Sequence, residues 1–419
     1  MSKSTKKLGL ITAPGYTEKL VDALESSLPD LLSYYVNEED QWDVECVTDS
    51  LTGVTEDSRE VLGAALERKS EEGWDFAVAL TDLPFFKNKR PIVAEAYVEE
   101  SVALISLPGL GSTPMFKRIR ESVLQLVNEM YYGSSEQDRR QAEEKIQAKN
   151  RKEYKELKNK SSTRLVGKRP FEWVSPLQRE TPDDDESNID VRFTVKSRFS
   201  GALRVLTGMV RANRPWAMFP AFLKLIMIAF ATGSYAIVFP TLWMLSSEYG
   251  IWRMFLLTFV SIGAMTLWII LVHSLWEKKN TRYKDYIRKL YNSATVLTLF
   301  VSVCMYYVIL FLLFSLAVLL IIPMGMLESQ VTTGPVSYIN YFYIAWTATS
   351  IATIIGALGS ALENEDVVLS STYGYRQRQR YKQVKEAEEE KKEAEEEKKE
   401  AAEEKKEAAE EKQEAEENS

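Results

Sequence analysis

MFLLTFVSIGAMTLWIILVHSL, residues 254–275, contains no Asp, Glu, Lys or Arg. Crossing the hydrocarbon core of a bilayer takes about 20 such residues, and a lone segment in lipid satisfies its own backbone hydrogen bonds as a helix. The run reads as a transmembrane helix. Residues 225–245, 294–322 and 341–361 carry three more apolar runs, and the longest, 294–322, predicts a tilted helix. Trp216 and Trp243 stand near the ends of the run at 225–245, as interfacial aromatic residues do.

Outward from these runs, the loops set a direction. Lys196, Arg198, Arg204, Arg211 and Arg214 precede the first run, and no Lys or Arg lies at 246–252. Lys278, Lys279, Arg282, Lys284, Arg288 and Lys289 follow the second run, and none lies at 323–337. Arg376, Arg378, Arg380 and Lys382 follow the fourth. Apart from Arg253, the alternation predicts a multi-pass cell-membrane protein with both termini cytoplasmic.

The runs have no charge near their centres. Lys224 and Arg253 stand where they can snorkel to an interface, and His273 sits near the cytoplasmic end of its run. With no clear internal repeat, this argues against a secondary transporter. Ala352, Gly356 and Ser360 recur every four residues, a spacing for close helix packing within the bundle or between copies of the chain.

Residues 1–133 alternate strand and helix patterns. Strands are expected at 8–13, 42–47, 74–81, 92–97 and 102–107, and helices from Thr17, at 55–72 and at 114–131. That order predicts an α/β domain with a largely parallel sheet and flanking helices. Ligands of such sheets bind beyond the carboxyl ends of the strands. The candidate ligand-binding residues there are Gly15, Asp49, Asp82, Gly109, Gly111, Ser112 and Thr113. Pro108 to Thr113 follows a strand and opens a helix, a setting that suits an anion, and equally one that makes an ordinary capped turn. A magnesium site on Asp49 and Asp82 is open but unsupported. The single histidine, His273, lies in an apolar run, which excludes Ser-His-Asp, Cys-His and His-ligated zinc chemistry in this domain. No catalytic residue, metal ligand or cofactor is assigned.

Residues 134–217 read as a charged helix, an exposed linker with Pro170, Pro176 and Pro182, and a basic amphipathic helix before the first span. Arg198, Arg204, Arg211 and Arg214, interleaved with Phe199, Leu203, Leu206, Met209 and Val210, predict contact with anionic lipid headgroups. The alternative is a helix packed on the first domain. Residues 218–362 form the expected four-helix transmembrane domain.

Residues 363–419 form the tail. From Lys385 it holds 17 Glu and 8 Lys, a net −9 against −8 for the whole chain, so the remainder is near neutral. That leaves no basic footprint for nucleic acid. The tail is a low-complexity Glu/Lys/Ala heptad repeat. From Lys385 its only apolar residue is Ala, so a solvated helical rod fits better than a coiled coil. Cys46 and Cys304 are too few for a disulfide framework.

Residues 74–84 (WDFAVALTDLP), with Arg90-Pro91 and 106–111 (SLPGLG), resemble a family of uncharacterised multi-pass membrane proteins of Gram-positive bacteria. Its members are often labelled methylenetetrahydrofolate dehydrogenase/cyclohydrolase. The resemblance covers the first domain and, in arrangement, the spans. Pro108 to Met115 echoes that enzyme family's Pro-Gly-Gly-Val-Gly-Pro-Met-Thr turn, while its catalytic Lys and Tyr pattern is not recognisable. The resemblance implies a membrane location. Two function classes follow: a non-catalytic membrane protein whose cytoplasmic domain binds a ligand or protein partner, and a membrane-tethered nucleotide- or folate-dependent enzyme.

Overall fold

The computed structural model describes residues 4–359 except 50–54, 56, 113, 149–156, 160, 183–188, 280–284 and 332–334, together with isolated positions of the tail. The N-terminal part runs β1 (Thr5–Thr12), α1 (Tyr16–Glu25), α2 (Leu28–Tyr35), β2 (Gln41–Thr48), α3 (Ser58–Glu72) and β3 (Phe76–Thr81). Then come β4 (Phe85–Lys87), β5 (Arg90–Tyr97), β6 (Val102–Ser106), α4 (Leu107–Leu110), α5 (Met115–Tyr132) and α6 (Glu136–Ala148). After these stand α7 (Pro170–Val174), β7 (Leu177–Glu180), β8 (Val191–Val195) and α8 (Arg198–Asn213).

The sheet is mixed, with strand order β2-β1-β3-β6-β5-β8-β7 and β4 paired to β5. Only β2, β1, β3 and β6 are parallel to one another. The expected largely parallel sheet is corrected by its connections. β5 reaches β6 through a turn closed by Ser101 N–H donating to the Val98 carbonyl at 3.1 Å. A turn that short can join only antiparallel strands. Of the other antiparallel strands, β7 comes from the stretch read as linker, and β8 lies just beyond it and runs into the start of the stretch read as a basic helix. Val191, Phe193 and Val195 are buried there, and five residues are too few to show a periodicity beside prolines and an acidic run.

Strand alternation splits the core in two. Leu8, Leu10, Val78, Leu80 and Ile105 meet α1, α2 and α5 on one face. Ile11, Ala77, Ala79 and Leu104 face α3, α8 and the start of the long helix α12 on the other. Gly9 admits the Trp74 ring, which fills the space a side chain would take.

α8 packs on the first domain. Gly201 lies against Pro91, and a methyl group on Gly208 would overlap the Pro108 carbonyl. Between the two glycines Arg204 is fully buried, so it turns inward rather than to lipid. The opposite side of α8 leaves Phe199 84% and Leu203 44% exposed.

A 3-10 turn at Pro215–Met218 leads to α9 (Phe219–Ile237), α10 (Pro240–Glu248), α11 (Ile251–Val272), α12 (Asp285–Ile321), α13 (Met324–Gln330) and α14 (Tyr338–Gly359). Ile251–Val272, Asp285–Ile321 and Tyr338–Leu358 are long and apolar enough to cross a membrane. Arg198–Met218 and Phe222–Ile237, bent by 58°, make a fourth if taken as one span.

The first span expected at 225–245 is not one helix. Pro240 forces Phe239 to an extended backbone, ψ 124°, and the helix stops at Ile237. Trp243 is buried, and its indole donates to the Ile237 carbonyl at 2.7 Å. α12 extends nine residues before the expected start, because its polar first turns pack on the α/β domain. α14 is the most enclosed of the long helices and touches α9, α10, α11 and α12.

Candidate functional site

β1 connects to β2 on one side through α1 and α2, and β2 crosses back past β1 to β3 on the other through α3, so the topological switch falls between β1 and β3. Here the Ala13 N–H donates to the Leu80 carbonyl at 3.1 Å and the Asp49 N–H to the Thr12 carbonyl at 2.9 Å. Thr12 and Thr48 hydroxyls stand 3.4 Å apart. Gly15 takes φ 101°, a backbone that favours glycine, and its N–H donates to Glu18 Oε2 at 3.3 Å. Gly15 is exposed and Asp49 half-buried, whereas Asp82, at the end of β3, is 1% exposed. The Thr81 hydroxyl accepts from the Leu83 N–H at 3.0 Å and Ser106 donates to the Leu83 carbonyl at 2.6 Å, which ties the β3 exit to β6.

The glycine turn beyond β6 lies in a different setting. Gly109 sits directly on β5, where a Cβ would stand 2.9 Å from the Ile92 carbonyl. Gly111, at φ 85°, is hemmed in by Phe171, Arg118 and Arg204. The turn presents carbonyls to those cations. Arg204 Nε donates to the Gly109 carbonyl at 2.8 Å, and Arg118 Nη1 to that of Leu110 at 2.7 Å. Arg204 Nη1 also donates to the Ser175 carbonyl at 2.6 Å. Both guanidinium groups stack on Phe171 at 5.1 and 5.3 Å, and both pair with Glu172, at 2.9 Å from Arg118 and 3.2 Å from Arg204. Burial first, and then the like charge of Arg118, pulls the Arg204 guanidinium down to about 10, still protonated at neutral pH. Ser112 is half-buried at the mouth of the turn, and Thr113 lies outside the described residues. The strand-end rim is therefore divided, with Gly15 and Asp49 on the open side and Asp82, Gly109 and Gly111 under protein.

α5 also carries a polar stripe, which its apolar pattern does not reveal. Arg118, Glu121, Gln125, Asn128 and Glu129 repeat at helical spacing opposite Ile119, Val123, Leu126 and Met130, and all are buried. Residues 157–180 lie across them. Glu121 accepts both terminal nitrogens of Arg169, at 2.9 and 2.8 Å, and the Lys158 and Gly167 N–H groups at 3.0 and 2.8 Å. Glu129 receives Arg179 twice at 3.0 Å. In the sheet, Arg192 pairs with Glu95. A stripe of alternating charge reads as a solvent face. Its regular opposite-sign partners at 169 and 179 were the one available sign of a covering segment.

In the bundle, Ala352 is buried beside Gly233, and a Cβ on Gly356 would meet the Tyr306 hydroxyl and Ala229. These two positions pack α14 on α9 and α12; Ser360 lies outside the described residues. Buried polar contacts here are neutral. Tyr307 meets the Ser350 hydroxyl at 2.7 Å and that of Thr258 at 3.1 Å, and the Trp346 indole donates to Thr258 at 2.6 Å.

Among the described residues no group of three or more His, Cys, Asp or Glu side chains could hold a metal ion. Burial pushes the half-buried Cys46 thiol up to about 12, with Glu25 and Asp22 adding to it, so it stays protonated at neutral pH. The chain matches no protein-family model, no curated protein and no solved structure.

Proposed function

We propose that this is an integral membrane protein of four spans, the first carried by α9 beyond the bend that follows α8, with both termini cytoplasmic. Its α/β domain is a ligand- or partner-binding module fixed to the bundle. One observation carries this reading. A single apolar cluster joins Ala79, Leu83 and Phe85 of the first domain to Val205 and Met209 of α8 and to Ile287, Leu290, Tyr291 and Ala294 of α12. A domain merely tethered to a membrane needs no such shared core. The Lys/Arg alternation of the loops supports the orientation. The resemblance around 74–111 agrees with a membrane location. The turn at Gly109 gives the folate- or nucleotide-enzyme reading no support, since its carbonyls already hold two arginines.

Two measurements test the reading. Protease added to sealed inside-out vesicles should remove the first domain and the tail; cleavage only from right-side-out vesicles overturns the orientation. In the purified full chain, Tyr291→Ala should lower the unfolding midpoint of the α/β domain, read by limited proteolysis during heating. An unchanged midpoint would mean that the domain and the bundle are independent.

A further inference from the structure

Lys87, Lys89, Arg90 and Arg198 surround a cavity of about 580 Å³ between the β4–β5 turn and the start of α8. Among the described residues Glu180 is the one carboxylate in its lining, beside four cationic side chains. That carboxylate is engaged from two sides. Thr194 donates to its Oε1 at 2.9 Å, and Arg90 Nη1 stands 4.0 Å from the same oxygen. Like charges gathered around one void repel each other, and an anion placed among them relieves the repulsion.

The local backbone favours the same occupant. Asn88 and Lys89 take φ 51° and 64°. A glycine is the usual second residue of such a hairpin turn, and a lysine there is strained. α8 begins at Arg198 without a side-chain cap on its first turn. The positive end of its dipole lies beside Arg198, which lines the cavity.

We propose that this cavity binds the phosphate group of a small anionic ligand, carried by a soluble phosphorylated molecule or by a lipid headgroup. The inference deepens the reading above by naming a ligand class and a site away from the strand-end rim; it rests on that reading only for the lipid source. Both walls of the cavity lead into the bundle. On one side Phe86 of β4 packs edge-on against Tyr286 of α12 at 5.1 Å. On the other, Arg198 opens the helix that continues to α9. A phosphate bridging the turn and α8 braces two elements that reach the membrane helices.

The test uses the full chain in nanodiscs. In the first arm, phosphatidylcholine discs are titrated with inorganic pyrophosphate by calorimetry. In the second, the unfolding midpoint is compared between phosphatidylcholine discs and discs containing phosphatidylglycerol, with no added anion. Saturable pyrophosphate binding marks a soluble source, and a higher midpoint in phosphatidylglycerol marks a headgroup. Lys89→Gly, which relaxes the turn as it removes a charge, should weaken either response at least tenfold in affinity or halve the midpoint shift. Glu180→Gln should strengthen it about threefold. No response in either arm overturns the proposal, as does a response unaltered in both variants. A chain that does not reside in membranes would lose the lipid arm and keep the pyrophosphate arm, so the two readings fail separately.

Discussion

Arg204 shows how much one residue's surroundings decide. It lies on a basic, amphipathic stretch beside an apolar run, a setting that in sequence points to lipid. Two glycines on the same helix face let α8 approach closely enough for Arg204 to reach three carbonyls and Glu172 instead. Arg204→Ala takes the donor from the buried Gly109 and Ser175 carbonyls, while Arg118 still reaches Leu110 and Glu172, so a loss of about 1–3 kcal/mol per orphaned carbonyl is expected, measured by thermal or denaturant unfolding in detergent. Arg204→Lys keeps the charge but lacks the planar fork, and should fall between the two. Glu45 offers a pH-dependent counterpart at the surface. The Trp74 indole, donating at 2.6 Å, holds its carboxyl below the ordinary 4.5 against the opposing effect of burial, and Lys7 adds to the lowering. Its folded value lies below the unfolded one. The stabilisation is therefore present above about pH 4.5 and lost as pH falls through the lower folded value. Glu45→Gln should lower the unfolding midpoint at pH 7, by an amount that shrinks as the pH falls below 4.5.

At the scale of elements, glycines separate packing from propensity. Gly208→Ala forces α8 off α4 and should destabilise by about 1–3 kcal/mol. Gly63, exposed on α3 with nothing near a built Cβ, is the control: Gly63→Ala should stabilise by about 0.5–1 kcal/mol. Chemical denaturation of the two variants side by side distinguishes the mechanisms. The elements legible in the sequence were those with a long, one-sided pattern. β1, β2, β3 and α5 lie within a few residues of their expected positions, as do α11 and α14, because their apolar period or length admits one reading. The misread elements have their cause in distant contacts. β8 becomes a strand by pairing with β5 across the sheet and β7 by pairing with β8, and α5's charged stripe is buried by residues more than 35 positions later. Nothing local marks such pairing. Pro240 is the exception: it stood inside the expected first span, and its effect on the preceding residue was readable there. Of the candidate rim, Gly15 and Asp49 remain open, while the glycine turn proved to be a packing device.

At the scale of the molecule, the two halves share one set of contacts rather than a hinge. The sheet face that carries Ile11 and Ala79 is closed in part by α12, which is also one of the long apolar helices. The tail takes no part in that core among the described residues; its Lys385–Glu389 pair, at 3.2 Å, is of the four-residue type that supports a solvated helix.

α12 is unbroken for 37 residues, about 55 Å at 1.5 Å per residue. A bilayer core takes up about 30 Å of that length. On the membrane reading proposed above, the polar turns at 285–293, about 14 Å long, are a rigid shaft between lipid and sheet, and a shaft transmits twist. One alanine inserted after Leu297 lengthens it by only 1.5 Å but turns its upper segment by about 100° relative to the lower. Ile287, Leu290 and Tyr291 would then swing away from Val205 and Met209 while every apolar residue below stays in place. The chain should still insert in the membrane, and its α/β domain should lose its hydrogen-exchange protection along the α12 contact. Four alanines, which bring the shaft round by about one turn, should restore most of it. A response that depends only on length, with one and four insertions ranked by distance, would mean that angular phase carries nothing here.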